Sequence, residues 1–197
     1  MLPYPQFEAQ TRAEWRAWLR KHHRSARGVW LVTWKAGSGR PKLANGDAVE
    51  EALCFGWIDS LPRTLDDTRS MLLMTPRKAG SSWSKANRDR VERLSAAGLM
   101  TETGLAKAEA ARQDGSWERL AAVERLTVPS DLARALRAVP RAKANFEAFP
   151  PSSKRIILEW ILTAKRAETR AARVAETVEL AERNLRAHHY RQPKAST

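Results

Sequence analysis

The run from Val29 to Lys35 is the segment of the chain that most constrains its fold. Its sequence, VWLVTWK, is almost entirely β-branched or aromatic, a composition that favours a strand over a helix. Because successive side chains point to opposite faces of a strand, one face is expected to carry Trp30, Val32 and Trp34. The run therefore predicts a sheet whose apolar surface other elements must cover.

Two further strands are predicted downstream, at Trp57–Arg63 and Ser70–Thr75. The turn-forming sequence LDDT separates them, and Pro76 closes the second. This spacing indicates a hairpin. With the first run, it predicts a small antiparallel sheet of about three strands.

Helical patterns surround the predicted sheet. A helix from Thr11 to about Arg24 opens with the capping box TRAE, and a second is expected to start at Asp47 as its cap. From Ser82 onward the pattern is helical, and the last long helix is predicted to run from about Glu168 to His188. The fold class that follows is α+β, with a sheet packed against helices and a helical C-terminal part.

These patterns also predict the domain organisation. We expect a tryptophan-rich α+β domain over residues 1–125, a basic helical region over 126–190 and a disordered tail over 191–197.

The net charge of +13, from 35 Lys+Arg and 22 Asp+Glu in 197 residues, is spread over both halves of the chain. Such a protein attracts polyanions, so nucleic acid is the first partner class expected. A cationic antimicrobial peptide would be repelled, which argues against protection by sequestering such a peptide.

No targeting or membrane-spanning segment is recognisable, which predicts a cytoplasmic protein without membrane contact. The lone Cys54 is interpreted as a small buried apolar residue, with a reactive thiol as the alternative. The histidines form two adjacent pairs, His22-His23 and His188-His189, and adjacent helical residues do not face one ligand. No metal, no cofactor and no catalytic signature is therefore expected, and the oligomeric state is left open.

A polar and aromatic cluster in the N-terminal half is the candidate ligand site. Its members are Lys35, Trp57, Asp59, Arg77, Lys78, Trp83, Ser84 and Asn87. Asp59 is disfavoured in a strand, so it either pairs with Lys35 or Arg77 or faces a ligand. The stretch 75–87 combines a basic pair, a Gly-Ser loop and a helix start, which suits an anion such as phosphate. The alternative is an ordinary serine-capped helix beside surface cations.

The eight tryptophans divide into two sets by their neighbours. Those on apolar faces are expected in the core: Trp15, Trp18, Trp30 and Trp160. Those beside polar groups are assigned less firmly to the core: Trp34, Trp57, Trp83 and Trp117. Trp83 is either a hydrophobic staple or a platform on which a ring or base stacks.

Four basic residues near the last helix are candidate nucleic-acid contacts: Lys165, Arg166, Arg170 and Arg173. The alternative is a solvated helix surface carrying i,i+4 ion pairs.

Three segments resemble a known family. They are EEALCFGWIDS at 50–60, TPRK at 75–78 with SWS and Asn87, and Trp160 with AKRAETRA at 164–171 and Arg173. Over about residues 7–185 the chain resembles the YdeI/OmpD-associated family of bacterial proteins, often labelled bacteriocin-protection proteins. The chain departs from the family pattern at two places. Leu73-Met74 stands where a basic–aromatic pair is common, and the segment 44–47 lacks the aromatic residue that often precedes the acid-rich helix. The resemblance implies a small α+β unit followed by helices, and no established reaction.

Two functional hypotheses follow. The first is a non-enzymatic, cytosolic binding protein for polyanions such as nucleic acid, with a role in stress or protection. The second is a site for a phosphate- or nucleotide-like small ligand, binding or enzymatic, on the N-terminal domain.

Overall fold

The N-terminal part of the protein is built on a four-stranded mixed sheet. The computed structural model describes residues 4–188, with strands in the order β1-β2-β4-β3. The strands are β1 Gln6–Glu8, β2 Val29–Trp34, β3 Trp57–Thr64 and β4 Arg69–Pro76. The predicted α+β class and the β3–β4 hairpin are confirmed. Strand β1, which pairs in parallel with β2, was not predicted because three residues are too few to show an alternating pattern.

The two faces of the sheet are covered differently. Val29 and Leu31 of β2 belong to the main core, together with Trp15. Trp30 and Val32 belong to a smaller cluster. The alternation predicted along β2 is thereby confirmed.

Four helices accompany the sheet: α1 Arg12–His22, α2 Asn45–Cys54, α3 Lys85–Ala96 and α4 Glu102–Gln113. The hydroxyls of Thr11, Ser84 and Thr101 accept backbone amides at the starts of α1, α3 and α4, as side-chain caps do. The prediction for α2 was wrong in its cap. The helix begins at Asn45 without a side-chain cap, and Asp47 in its first turn pairs with Arg12 instead.

Helix α4 docks closely against the end of α2. Gly104 makes this possible, because a Cβ at that position would lie 2.3 Å from the Cys54 carbonyl oxygen. The same oxygen accepts the amide of Thr101 at 3.0 Å and its hydroxyl at 2.7 Å. This contact fixes the position of α4 relative to the sheet.

The chain divides into two compact units, Met1–Arg119 and Leu120–Thr197. The second contains α5 Ala121–Glu124, α6 Ser130–Ala138, α7 Pro140–Ala148, α8 Pro151–Leu162 and α9 Ala167–Glu182. Its helices enclose a separate core.

Helix α9 ends six residues before the predicted position, and Asn184 follows in a left-handed conformation with φ 59°. That conformation is typical of a helix terminus. The predicted tail at 191–197, like His189, lies outside the described residues. In the part of the chain from residue 4 to 188, no helix combines the length and apolar character needed to cross a bilayer.

Candidate functional site

The acid pair in the first family-like segment forms a structural ion-pair network. Glu51 is only 2% exposed and accepts hydrogen bonds from Arg12 Nε and from Arg16 Nη1, the latter at 2.6 Å. Glu50 pairs with Arg12 at 3.1 Å and with Arg93. Glu51 therefore joins α2 to α1, Glu50 joins α2 to α1 and α3, and neither carboxylate is left to act on a ligand.

Cys54 lies beside this network and is buried. Burial raises the pKa of its thiol above the ordinary value, so the thiolate that a nucleophile requires is disfavoured. This environment matches the interpretation of Cys54 as a small apolar residue.

Arg77, directly after β4, is a buried cation with few partners. Its side chain lies against Trp83, with the guanidinium carbon 3.6 Å from the ring centroid. Nη2 donates to the Ser82 carbonyl at 3.1 Å. The residue is 5% exposed, and its buried Nε has no hydrogen-bond partner among residues 4–188. A guanidinium has five N–H donors, so most of its donor capacity is unused.

Burial lowers the pKa of Arg77 to about 10, and the negative charge of Asp59 acts in the opposite direction. The side chain is therefore still cationic at neutral pH. Within the described chain, no carboxylate lies within ion-pairing distance of it. A buried charge without a direct partner is unfavourable, which makes this position a natural place for an anionic ligand group.

A small pocket of about 50 Å³ opens beside Arg77. Segments distant in sequence line it: Lys78 and Gly80 follow β4, Lys107 lies on α4, and Ser116 follows α4. Asp114 is the single carboxylate among the lining residues. Since one water needs a cavity of roughly 10–15 Å³, the pocket holds a few waters or one group of comparable size.

Arg88 of α3 holds the two sides of this pocket together. It is buried, and its Nη1 donates to the carbonyls of Trp83 and Trp117, each at 3.1 Å. The two indole rings lie 4.9 Å apart, and Arg112 lies over the ring of Trp117 at 4.5 Å. Trp83 is therefore packed between Trp117 and Arg77 in the interior, where a ligand ring would find no open face.

Of the predicted cluster, Lys35 lies far from Arg77, and Trp57, which pairs with Pro76, is part of the core. Lys35 Nζ donates to the carbonyl of Asp66 at 2.6 Å, in the turn at the opposite end of β4. The two ends of β4 are roughly 20 Å apart at about 3.3 Å per residue. Trp57 is 1% exposed, and its indole donates to the His23 carbonyl at 3.1 Å, so it is a core residue.

Ser84 and Asn87 have local roles at the start of α3. The Ser84 hydroxyl accepts the Asn87 amide at 3.3 Å, and Asn87 Oδ1 accepts from Arg90 at 2.8 Å. The structure thus gathers Arg77, Lys78 and Trp83 at one pocket. It adds Lys107 and Ser116, which no local sequence signal could have connected to them.

A larger cleft of about 400 Å³ lies over the sheet beside the start of α2. Leu31 and Leu72 contribute apolar surface, and Thr33, Asn45 and Ser70 contribute polar groups. No sequence signal indicates this cleft, because these residues come from two strands and a helix.

Two arginines of the second unit, Arg170 and Arg173, are engaged at the junction of α8 and α9. Arg170 makes two hydrogen bonds to Asp131, at 2.7 and 3.0 Å, and one to the Ile161 carbonyl. Arg173 donates to the Trp160 carbonyl and lies over the Trp160 ring at 5.1 Å. Both donate to carbonyls in the last turn of α8, which also accept the Ala164 amide and the Thr163 hydroxyl.

Lys165 and Arg166, in contrast, are exposed. Neither forms an ion pair within the part of the chain that the structure describes. Between residues 4 and 188, no group of three His, Cys, Asp or Glu side chains is arranged to hold a metal ion.

Two family models match the chain, each over a different part of it. Residues 7–107, just over half of the chain, match a family described as a domain of unknown function, DUF8412. Residues 125–184 match the family described as Bacteriocin-protection, YdeI or OmpD-Associated. The chain therefore belongs to the DUF8412 family through its N-terminal part, and the predicted YdeI/OmpD-associated family is confirmed for its C-terminal part. Searches of curated proteins and of solved structures returned no match.

Proposed function

We propose that this protein is a non-enzymatic binding protein whose N-terminal unit holds a phosphate group of a small ligand at Arg77. The observation that carries this proposal is the buried guanidinium whose Nε has no partner in residues 4–188. A buried charge without a partner is unfavourable for the folded state. Retaining an unpaired cation is understandable if a ligand supplies the opposite charge.

The chemistry of the pocket suits a phosphate. A guanidinium can give two parallel hydrogen bonds to an oxyanion, and the Trp83 ring supports the plane of the Arg77 guanidinium. Lys78 and Lys107 add positive charge. The Ser116 amide donates to Asp114 at 2.8 Å, which orients the turn that brings the Ser116 side chain to the pocket.

Thermal unfolding with ligand titration tests this function. The wild-type melting temperature should rise with increasing ribose 5-phosphate or AMP, because a ligand that binds only the folded state stabilises it. Ribose and adenosine, which lack the phosphate, should have no effect. Arg77→Met should weaken binding about tenfold or more, since hydrogen bonds to a charged group each contribute roughly 1.5–3 kcal/mol.

Arg63→Met is the matched control, because Arg63 lies over the Trp30 ring and not at this pocket. It should leave the phosphate response unchanged. The proposal fails if wild type gives no response to millimolar phosphate esters, or if Arg77→Met responds as wild type does.

A second function, binding of nucleic acid or another polyanion, is favoured by Lys165 and Arg166. These two cations are exposed and without an ion pair in the described chain, in a protein of net charge +13. Fluorescence anisotropy with labelled single- and double-stranded DNA at physiological salt tests it. Lys165→Ala with Arg166→Ala should reduce the dependence of log affinity on log salt by about 1–2, close to one per lost phosphate contact.

Arg183→Ala is the control for this test, since Arg183 is exposed and already paired with Glu179 at 2.9 Å. Its salt dependence should match wild type. Absence of binding at physiological salt would exclude the polyanion function and leave the Arg77 proposal standing.

A further inference from the structure

The second unit contains a mainly apolar cleft of about 260 Å³ beside α6 and α7. Leu136 and Phe146 are almost completely buried and form its floor. Leu126, Val128 and Ala133 are half-buried and form its walls. Its volume lies just below the roughly 300–1,000 Å³ typical of pockets for drug-sized ligands, so it suits a smaller molecule.

One wall is formed by a leucine in an unfavourable backbone conformation. Leu126 has φ 57° at the end of α5, where its amide bonds the Val123 carbonyl and the Thr127 amide bonds the Ala122 carbonyl. This is the Schellman pattern, whose left-handed position is ordinarily glycine. A leucine therefore occupies this position although its left-handed backbone conformation is energetically unfavourable. Its side chain lines the cleft.

The rim of the cleft is basic. Arg137, Lys143 and Lys154 line it, with Glu147 as the single acid. Lys143 lies 3.7 Å from the Glu147 carboxylate, and Lys154 donates to the Glu147 carbonyl at 2.6 Å. Arg137 is exposed and has no ion pair in the described residues. Three cations against one carboxylate leave a positive rim around an apolar floor.

We propose that this cleft binds a small amphipathic anion, with an aliphatic or aromatic body and one carboxylate. The body would displace water from Leu126, Leu136 and Phe146, which is favourable in proportion to the apolar area covered. The carboxylate would accept hydrogen bonds from the guanidinium group of Arg137. An inorganic anion lacks the body and a neutral alcohol lacks the charge, so each satisfies only half of the site.

Octanoate is the probe, titrated into the full chain by calorimetry and followed by ¹H–¹⁵N NMR. Octanoate should bind and shift amide signals between residues 126 and 154. Octanol should bind at least about threefold more weakly, and acetate should not bind at millimolar concentration. Arg137→Gln should weaken octanoate binding about twofold to fivefold, as expected for one solvent-exposed ion pair at a rim.

Two variants make the test specific. Arg155→Gln removes an exposed charge outside the cleft and should bind octanoate as wild type does. Leu126→Gly relieves the left-handed leucine and removes a wall, so it should stay folded by NMR while binding octanoate more weakly. The proposal is overturned if octanoate does not bind, if octanol binds equally well, or if Arg137→Gln leaves the affinity unchanged.

Discussion

The pocket at Arg77 and the α8–α9 junction each contain a partly or fully buried arginine, but the two arginines differ in how many hydrogen bonds they make. At the junction, Arg170 makes three hydrogen bonds, two of them to Asp131. At the pocket, Arg77 is more deeply buried, donates to one carbonyl and has an unpaired Nε in the described chain. The satisfied arginine is structural, whereas the unsatisfied one is a candidate for ligand binding.

The two places also differ in how they are assembled. At the junction, Arg170 joins α9 to the preceding helix, α8, and to Asp131 in the first turn of α6. The pocket joins Arg77 to Lys107 and Ser116 and depends on the close docking of α4 against α2 at Gly104. A local substitution far from Arg77 should therefore damage the pocket, while the junction depends on its own residues.

The largest expected effect follows from Gly104→Ala. Its added methyl group would meet the Cys54 carbonyl, and such overpacking typically costs about 1–3 kcal/mol. Urea denaturation should show this loss in the free energy of unfolding. Gly46→Ala is the control: it lies in α2 with open space around it and should be neutral or slightly stabilising.

Arg170→Met should lower the free energy of unfolding by about 1–2 kcal/mol, because it removes a bidentate ion pair and a bond to an α8 carbonyl. Lys165→Met, a few residues away and exposed, should change it by less than about 0.5 kcal/mol. Equal losses of unfolding free energy in the two variants would contradict the distinction between the paired Arg170 and the unpaired Lys165.

A pH dependence of smaller size should arise from Asp131. The hydrogen bonds from Arg170 lower the pKa of its carboxyl. A carboxyl whose pKa is lower in the folded state contributes stability above its unfolded value, about 3.9. That contribution is lost as the pH falls through the folded value. Denaturation of Asp131→Asn should show a weaker decline in stability below about pH 4 than wild type shows.

Apart from the control variants, the smallest expected effect on stability is that of Arg77→Met without ligand. Removing a buried cation with one hydrogen bond should leave the free energy of unfolding within about 1 kcal/mol of wild type, or raise it. A loss of 3 kcal/mol or more in urea denaturation would mean that Arg77 is as structural as Arg170.

Local signals explain what the sequence could predict. Thr11, Ser84 and Thr101 cap their helices with side chains a few residues from the groups they bond, so the sequence pattern is sufficient. Strand β1 was missed because its pairing with β2, and not its own composition, makes it a strand. The start of α2 was also mispredicted for want of a tertiary contact, because Asp47 forms an ion pair with Arg12 and does not cap the helix.

The site depended on contacts that a sequence pattern does not contain. Trp57, Trp83 and Trp117 have polar neighbours in sequence, yet all three are buried, because their indoles pack across elements. Lys35 and Arg77 appear together in the candidate cluster, yet β4 separates them along its length. Ser116 reaches the pocket only because α4 returns to the sheet.

The Nε–H signal of Arg77 in a ¹H–¹⁵N spectrum reports most directly on the central claim. It can be assigned by its loss in Arg77→Lys and then followed during titration with ribose 5-phosphate. The signal of a free Nε–H that donates to a phosphate oxygen should move downfield, and its shift should saturate with the same dissociation constant as the thermal response. An Arg77 signal that stays constant while other signals shift would contradict the claim.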